Sequence, residues 1–387
     1  MQVALVLCLM LATAAVTFWV TYRELGSTSL STPAASKTEE IQMYLDEFFI
    51  DDYDAETLAD GAAAGMIAAT GDEWSYYISA DQFASYTEQM NNAYVGIGVT
   101  IMEDQEAGGF RITEVTAGGP ADQGGVQVQD VLTHVEGEPV LDLGQEETVN
   151  RVRGEAGTQV TLTLERDGEP YDVTLTRSSV EQEVASYLLT DDQIAVITIE
   201  NFDAHCAEQS IAAVEQAIAD DAKAIVFDVR NNPGGMKTEL VELLDRLLPE
   251  GPLFRSRNYA GEEEVDESDS VCVDLPMAVL VNEESYSAAE FFAAALQEYE
   301  AATIVGTQTY GKGNFQSTFQ LSDGSAISIS IGKYFTPNGI SLTGVGVTPD
   351  VEVDLSDEDF AKLYYDALPA EEDAQMQAAL ALFQEST

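Results

Sequence analysis

The patterning between Gln193 and Thr336 constrains the fold of this chain most. Apolar runs alternate there with segments of helical period. QIAVITIENF reads as a buried strand, AEQSIAAVEQAIADD as an amphipathic helix, and AKAIVFDVR as a second apolar strand that ends in NNPGG. TELVELLDRLLP is helical, PMAVLVNE is a third strand, and SYSAAEFFAAALQEY is again helical. ATIVGTQTYG and the hairpin-like NFQSTFQLSDGSAISISIGKYFT complete the unit. Strand–helix alternation of this kind predicts a sheet covered by helices, an α/β core over residues 179–355.

Upstream the period changes. From Tyr94 onward VGIGVTIM, GFRITEV, DVLTHVEG, TQVTLTLERDG and PYDVTLTR are short alternating strands split by Gly-rich turns, with a short helix between Gln145 and Val152. This predicts a small β-rich domain over 92–178. Residues 38–91 read as helical, with Ile41, Tyr44, Leu45 and Phe48 in 3.6-residue spacing, as are Leu58, Ala62, Met66 and Ile67. A polar stretch, 23–37, precedes them as a linker. The tail, 356–387, reads as helical and acidic with a break at Pro369. The expected fold class is therefore α+β / α/β and multi-domain.

Met1–Tyr22 carries no side-chain charge and is long enough to span a bilayer, which takes about 20 residues. Trp19 and Tyr22 suit an interfacial belt, and Arg23 follows. A cleaved signal peptide is the competing reading, with small residues at Thr13-Ala14-Ala15; the length of the apolar run favours a single membrane helix. The chain holds 16 Lys and Arg against 69 Asp and Glu, a net charge of −53. Such a surface repels phosphate backbones and excludes nucleic acid as a partner. Cys206 and Cys272 either pair outside the cell or are buried thiols. No Cys/His spacing fits a metal, no phosphate-loop motif appears, and no cofactor is expected.

Three segments carry candidate chemistry. Ser287 stands where a buried strand turns into a helix, beside unpaired N–H groups that could also hold a developing oxyanion. The same Ser287-Ala-Ala-Glu290 is a capping box, and Ser285 competes for the role. Lys312 lies between Gly311 and Gly313 after an apolar strand. Lost hydration there would lower its pKa and let a neutral amine accept a proton from serine. Gln316, four residues on, is placed to orient it. Asn231 to Gly235 form a loop at a strand's carboxyl end, where α/β sheets bind ligands. Asp228 and Arg230 either orient that loop or pair with each other. His134 and His205 read as structural; a Ser–His–Asp site on His205 is a weaker alternative.

Taken together, D-x-R-x-N-P-G-G, then S-x-S-A-x-E, then G-K-G-x-x-Q resembles the carboxy-terminal processing (tail-specific) serine peptidases over residues 40–355. The resemblance implies Ser287 as nucleophile, Lys312 as general base and Gln316 as its orienting partner. It implies an oxyanion hole from the N–H of Ala288 and one from Gly234 or Gly235. Tyr286 departs from the family, which more often has a small residue there. The β-rich domain is similar to the family's PDZ module. Gly96, Ile97, Gly98 and Val99 resemble its loop for a peptide C-terminus, and Arg153-Gly154 with Gly157-Thr158 match its R-G-x-x-G-T turn. The implied partners are protein or peptide tails. The implied location is the cell membrane, single-pass, with the catalytic domain outside the cytoplasm. Helical segments at both ends could mediate a homodimer. A catalytically silent scaffold that binds protein C-termini is the alternative.

Overall fold

The computed structural model describes residues 32–365 and 367–384. The expected membrane helix, 1–22, lies outside the described residues. Among those that are described, no helix is long and apolar enough to cross a membrane. The chain divides between Tyr77 and Ile78 into two compact units.

The first unit holds two helices, Pro33–Phe48 and Ala55–Ala68. Thr32 caps the first by accepting the Ala35 N–H at 3.3 Å. Pro33 fits the opening position, where a helix needs no N–H partner. The expected linker over 23–37 is therefore helical from Pro33, and Thr-Pro was the signal for it. Residues 38–91 are likewise not helical throughout: Tyr76–Ile78 forms a short strand before the helix Ala80–Met90. Aromatic and β-branched residues favour extended backbone there.

In the second unit a six-stranded sheet forms the core. Its strands, in spatial and chain order, are β1 (Ala185–Leu189), β2 (Ile194–Ile199), β3 (Ala224–Asp228), β4 (Met277–Val281), β5 (Ala302–Gly306) and β6 (Val351–Glu352). Only β1 runs antiparallel to its neighbour. Strands β3 and β4 are buried along their whole length, in keeping with apolar sequences broken only by Asp228 at the end of β3. Three helices cross between strands: α1 (Cys206–Ala219), α2 (Lys237–Leu247) and α3 (Ala288–Glu298). Each crossover steps to the next strand in the same direction, so crossovers of one hand put all three helices on one face. Ile197, Phe227, Val279 and Val281 pack on that face with Leu243 and Phe292. The opposite face presents Val196, Val226, Leu280 and Val305, and a C-terminal helix, α4 (Ala374–Ala381), covers it through Met376 and Ala379.

An antiparallel sheet flanks this core, with Asn314–Gln320, Ala326–Phe335, Gly251–Asn258 and Glu263–Ser268 side by side. Tyr334 fastens it to α3, its ring centroid 5.3 Å from Phe291 and 4.9 Å from both Phe254 and Phe315. The β-rich domain has five main antiparallel strands between Val99 and Thr176 and the helix Gln145–Val152, closed over Phe110, Ile112, Leu132 and Leu162. A ribbon of Ala93–Gly96 against Ser178–Glu181 joins its entry and exit. Cys206 is buried and Cys272 exposed, both as free thiols, so they do not pair.

Candidate active site

Strand β4 ends at Val281, and the chain turns through Asn282 to Ser287 before α3 begins. Ser287 sits at the helix N-cap with φ 57° and ψ −123°, a conformation that a residue with a Cβ rarely adopts. Such strain persists only where the surroundings over-determine it, and it gathers at functional sites. The surroundings here are dense. Asn282 and Asn231 exchange side-chain bonds across the two loops: Asn282 Nδ2 donates to Asn231 Oδ1 at 2.8 Å, and the Asn231 N–H donates to Asn282 Oδ1 at 2.9 Å. Ser285, the competing serine, is fully buried and spends its hydroxyl on this scaffold. It donates to the Val229 carbonyl at 2.7 Å and accepts the Asn282 N–H at 3.0 Å.

Glu290 joins the pieces. It is the one acid in the apolar first turns of α3 and is wholly buried. Its carboxylate accepts the Thr309 hydroxyl at 2.6 Å and the N–H groups of Gly311 at 2.6 Å, Lys312 at 2.9 Å and Ser287 at 3.0 Å. Burial pushes its pKa up, and these four donors pull it back. The amides of Ser287 and Lys312 share one oxygen, Oε2, so their nitrogens lie no more than about 6 Å apart. A lysine side chain spans that distance. The Lys312 Nζ lies 5.9 Å from the centre of the Tyr286 ring, and Tyr286 leans on Tyr310 at 5.8 Å. Tyr286 thus forms an aromatic wall beside the lysine. Sequence reasoning saw Glu290 only as a helix cap. A lone carboxylate in AAEFFAAAL was the signal that it serves more than that.

The NNPGG loop closes over the same turn. A Cβ on Gly234 would stand 2.7 Å from both the Ala288 nitrogen and the Ser287 Cβ, and one on Gly235 would stand 2.3 Å from the Phe202 carbonyl carbon. Only glycine allows this approach. The Gly234 N–H donates to Asn232 Oδ1 at 2.8 Å. The N–H groups of Gly235 and Ala288 meet no acceptor among the described residues.

Gln316 lies on the flanking sheet, where its side chain donates to Ser330 Oγ at 3.0 Å and to the Asn314 carbonyl at 3.2 Å. With Gly235, Met236, Met90, Phe315 and Tyr334 it lines a cavity of about 800 Å³. His205 takes the left-handed N-cap of α1 and faces Glu208 at 3.9 Å, while His134 Nδ1 meets Thr133 Oγ1 at 3.0 Å. Both positions fit structural roles. In the β-rich domain Gly96, Ile97, Gly98 and Val99 line a groove of about 290 Å³ opposite Val149 and Val152 of its helix. That is a strand edge facing a helix, the arrangement in which an extended peptide adds as a further strand.

Comparison with known proteins agrees with this architecture. The family described as Peptidase family S41 matches residues 193–353, and the PDZ domain matches residues 111–166. A "Probable CtpA-like serine protease" of Staphylococcus saprophyticus is 30% identical over 348 residues, 89% of this chain and 69% of that protein. A protein of the same description from Staphylococcus aureus is 32% identical over 323 residues, 82% of this chain. The chain spans 64% of the length of that relative. Among solved structures the tricorn protease shares the fold, with a TM-score of 0.51 at 16% identity over 91% of this chain and 35% of that one. With the matched core, the matched PDZ domain and relatives of this extent, the chain belongs to peptidase family S41.

Proposed function

We propose that this chain is a serine endopeptidase of the carboxy-terminal processing type, working through Ser287 and Lys312. The observation that carries the reading is the buried Glu290 carboxylate, which ties the strained Ser287 turn and the Lys312 loop to one oxygen. In this reading the Ser287 hydroxyl attacks the scissile carbonyl while neutral Lys312 takes its proton. The N–H groups of Ala288 and Gly235 hold the oxyanion. The intermediate collapses, the C–N bond breaks, and Lys312 returns the proton to the leaving amine. Water then attacks the ester with Lys312 again as base, releasing the acid and restoring Ser287. Gln316 steadies the lysine side. Substrate tails add as a strand along Gly96–Val99 before the body of the substrate reaches the 800 Å³ cavity. The apolar run Met1–Tyr22 supports a membrane-tethered enzyme acting outside the cytoplasm.

Cleavage of an unfolded protein substrate tests this. Ser287→Ala and Lys312→Ala are each expected to abolish it, and turnover is expected to fall in acid as the amine takes up a proton. Persistent turnover by Ser287→Ala refutes the assignment. A wild-type protein that binds C-terminal peptides without cleaving them points to the scaffold instead.

A further inference from the structure

The face of the central sheet opposite α1–α3 carries a polar device that the proposed mechanism does not use. Arg230 stands two residues past β3 and immediately before Asn231, where the NNPGG loop begins. Its side chain is 3% exposed, and Asp228 holds it in two bonds, Nε to Oδ1 at 2.9 Å and Nη2 to Oδ2 at 2.6 Å. The remaining partners come from the far end of the chain. Asp373 Oδ2 lies 2.8 Å from Nη2, and Gln375 Oε1 accepts from Nη1 at 3.0 Å. Burial alone would lower the pKa of the guanidinium; Asp228 and then Asp373 more than reverse this, so it stays charged.

Asp373 has a second task. Its other oxygen, Oδ1, accepts the N–H groups of Gln375 and Met376, both at 3.0 Å, and so caps α4. Gln375 also donates to the Val353 carbonyl at 2.8 Å, beside β6. One buried carboxylate thus fixes where α4 starts and where the Arg230 side chain ends. Asp373 and Gln375 both lie outside the residues that the S41 family matches.

We propose that Asp373 is a positioning residue for the oxyanion loop, and that the C-terminal helix acts through Arg230 as part of the active-site support. This rests on the reading that Gly235 donates to the oxyanion. The path is short: Arg230 and Asn232 are buried and Asn231 is half-buried. Asp373 sets Arg230, and the next residue, Asn231, is locked to Asn282 of the Ser287 turn. The loop then runs through Asn232, bonded to the Ile199 carbonyl at 2.7 Å, to Gly235. Freeing Arg230 from its second carboxylate lets the loop shift against Ser287, and a misplacement near 1 Å there costs on the order of 100-fold in rate.

Asp373→Asn keeps the cap acceptor and removes the second of the two charges on Arg230, leaving Asp228. We expect kcat to fall about tenfold or more with KM nearly unchanged. Affinity for a peptide boronic acid, which presents the oxyanion, should fall in parallel. Amide hydrogen exchange across 231–236 should speed up. Met376→Ala, which loosens the packing of α4 and leaves the ion pair alone, should lower Tm without these three effects. Gln375→Ala serves as a second probe if Asp373→Asn folds poorly, with the same signs and smaller size. Unchanged kcat and exchange in a folded Asp373→Asn overturn the proposal. So does loss of activity that only tracks the fraction unfolded in both variants. If the wild type shows no Ser287-dependent cleavage, the proposed function fails. Exchange across 231–236 then still decides whether Asp373 holds the loop.

Discussion

The two faces of the central sheet are covered in different ways. On one face three helices are delivered by the strand crossovers themselves, and α3 packs a large ring onto the sheet: Phe292 stands 5.3 Å from Phe227 of β3 and 5.6 Å from Phe202, in the loop before α1. Given sequential parallel strands, helices on that face follow from topology. On the other face nothing in the topology requires a cover. Among the described residues an eight-residue helix from the tail provides it, with a small apolar contact and a buried ionic plug. The first face is held by burial, which is strong and non-directional. The second depends on charges that must meet in register, and these point at the loop beside Ser287. What holds the tail in place thereby also sets the geometry of the site.

That contrast can be broken by substitution, and the largest effect is expected at its hinge. Glu290→Gln keeps the shape of the side chain but turns one acceptor into a donor facing N–H groups. Cleavage activity should drop about 100-fold as the two loops shift, and denaturant unfolding should show a loss of about 1–3 kcal/mol from the buried donors left unpaired. An active, fully stable variant would show that the carboxylate does not fix the two loops. Next come the faces themselves. Phe292→Ala empties the helix side and should cost about 3–5 kcal/mol, whereas Met376→Ala on the tail side should cost about 2 kcal/mol. Equal losses in urea titrations would erase the distinction drawn between strong and weak cover.

The smallest effect is a pH dependence next to the same loop. Asp203 is buried against Gly235, and its Oδ1 meets no hydrogen-bond partner. Burial, and then repulsion from Glu239, pushes this carboxyl up to about 7. The unfolded chain releases that proton near pH 3.9, so the native state binds it more tightly. The stabilisation is complete below about pH 4 and is lost as pH rises through about 7. Asp203→Asn should therefore melt closer to the wild type at pH 5 than at pH 8, where the variant gains. A constant difference in Tm across that range would remove Asp203 from the account.

The helix face was legible in the sequence because its signals are local. Apolar strand runs, helical periods and the glycines of NNPGG each act over a few residues, and the Ser, Lys and Gln motifs sit at the ends of those elements. The start of the first helix at Pro33 is hidden in the sequence because the Ser/Thr-rich stretch around it reads as a linker and masks the Thr32-Pro33 cap. Glu290 was visible as a cap but not as a hub, because its other partners, Thr309, Gly311 and Lys312, come from a loop beyond the helix. The tail latch could not be read at all. Arg230 and Gln375 are 145 residues apart, and neither has a neighbour in sequence that signals the other. Ser285 and Ser287 looked equivalent in the string SYSAAE. Backbone dihedrals and the spent Ser285 hydroxyl separate them.

The most direct measurement is acid quenching of the enzyme during turnover of an activated peptide ester, followed by mass mapping of the covalent adduct. The account requires an acyl ester on Ser287, formed in the wild type and absent from Lys312→Ala. Turnover with the ester on Ser285, or with no acylated serine, would contradict it.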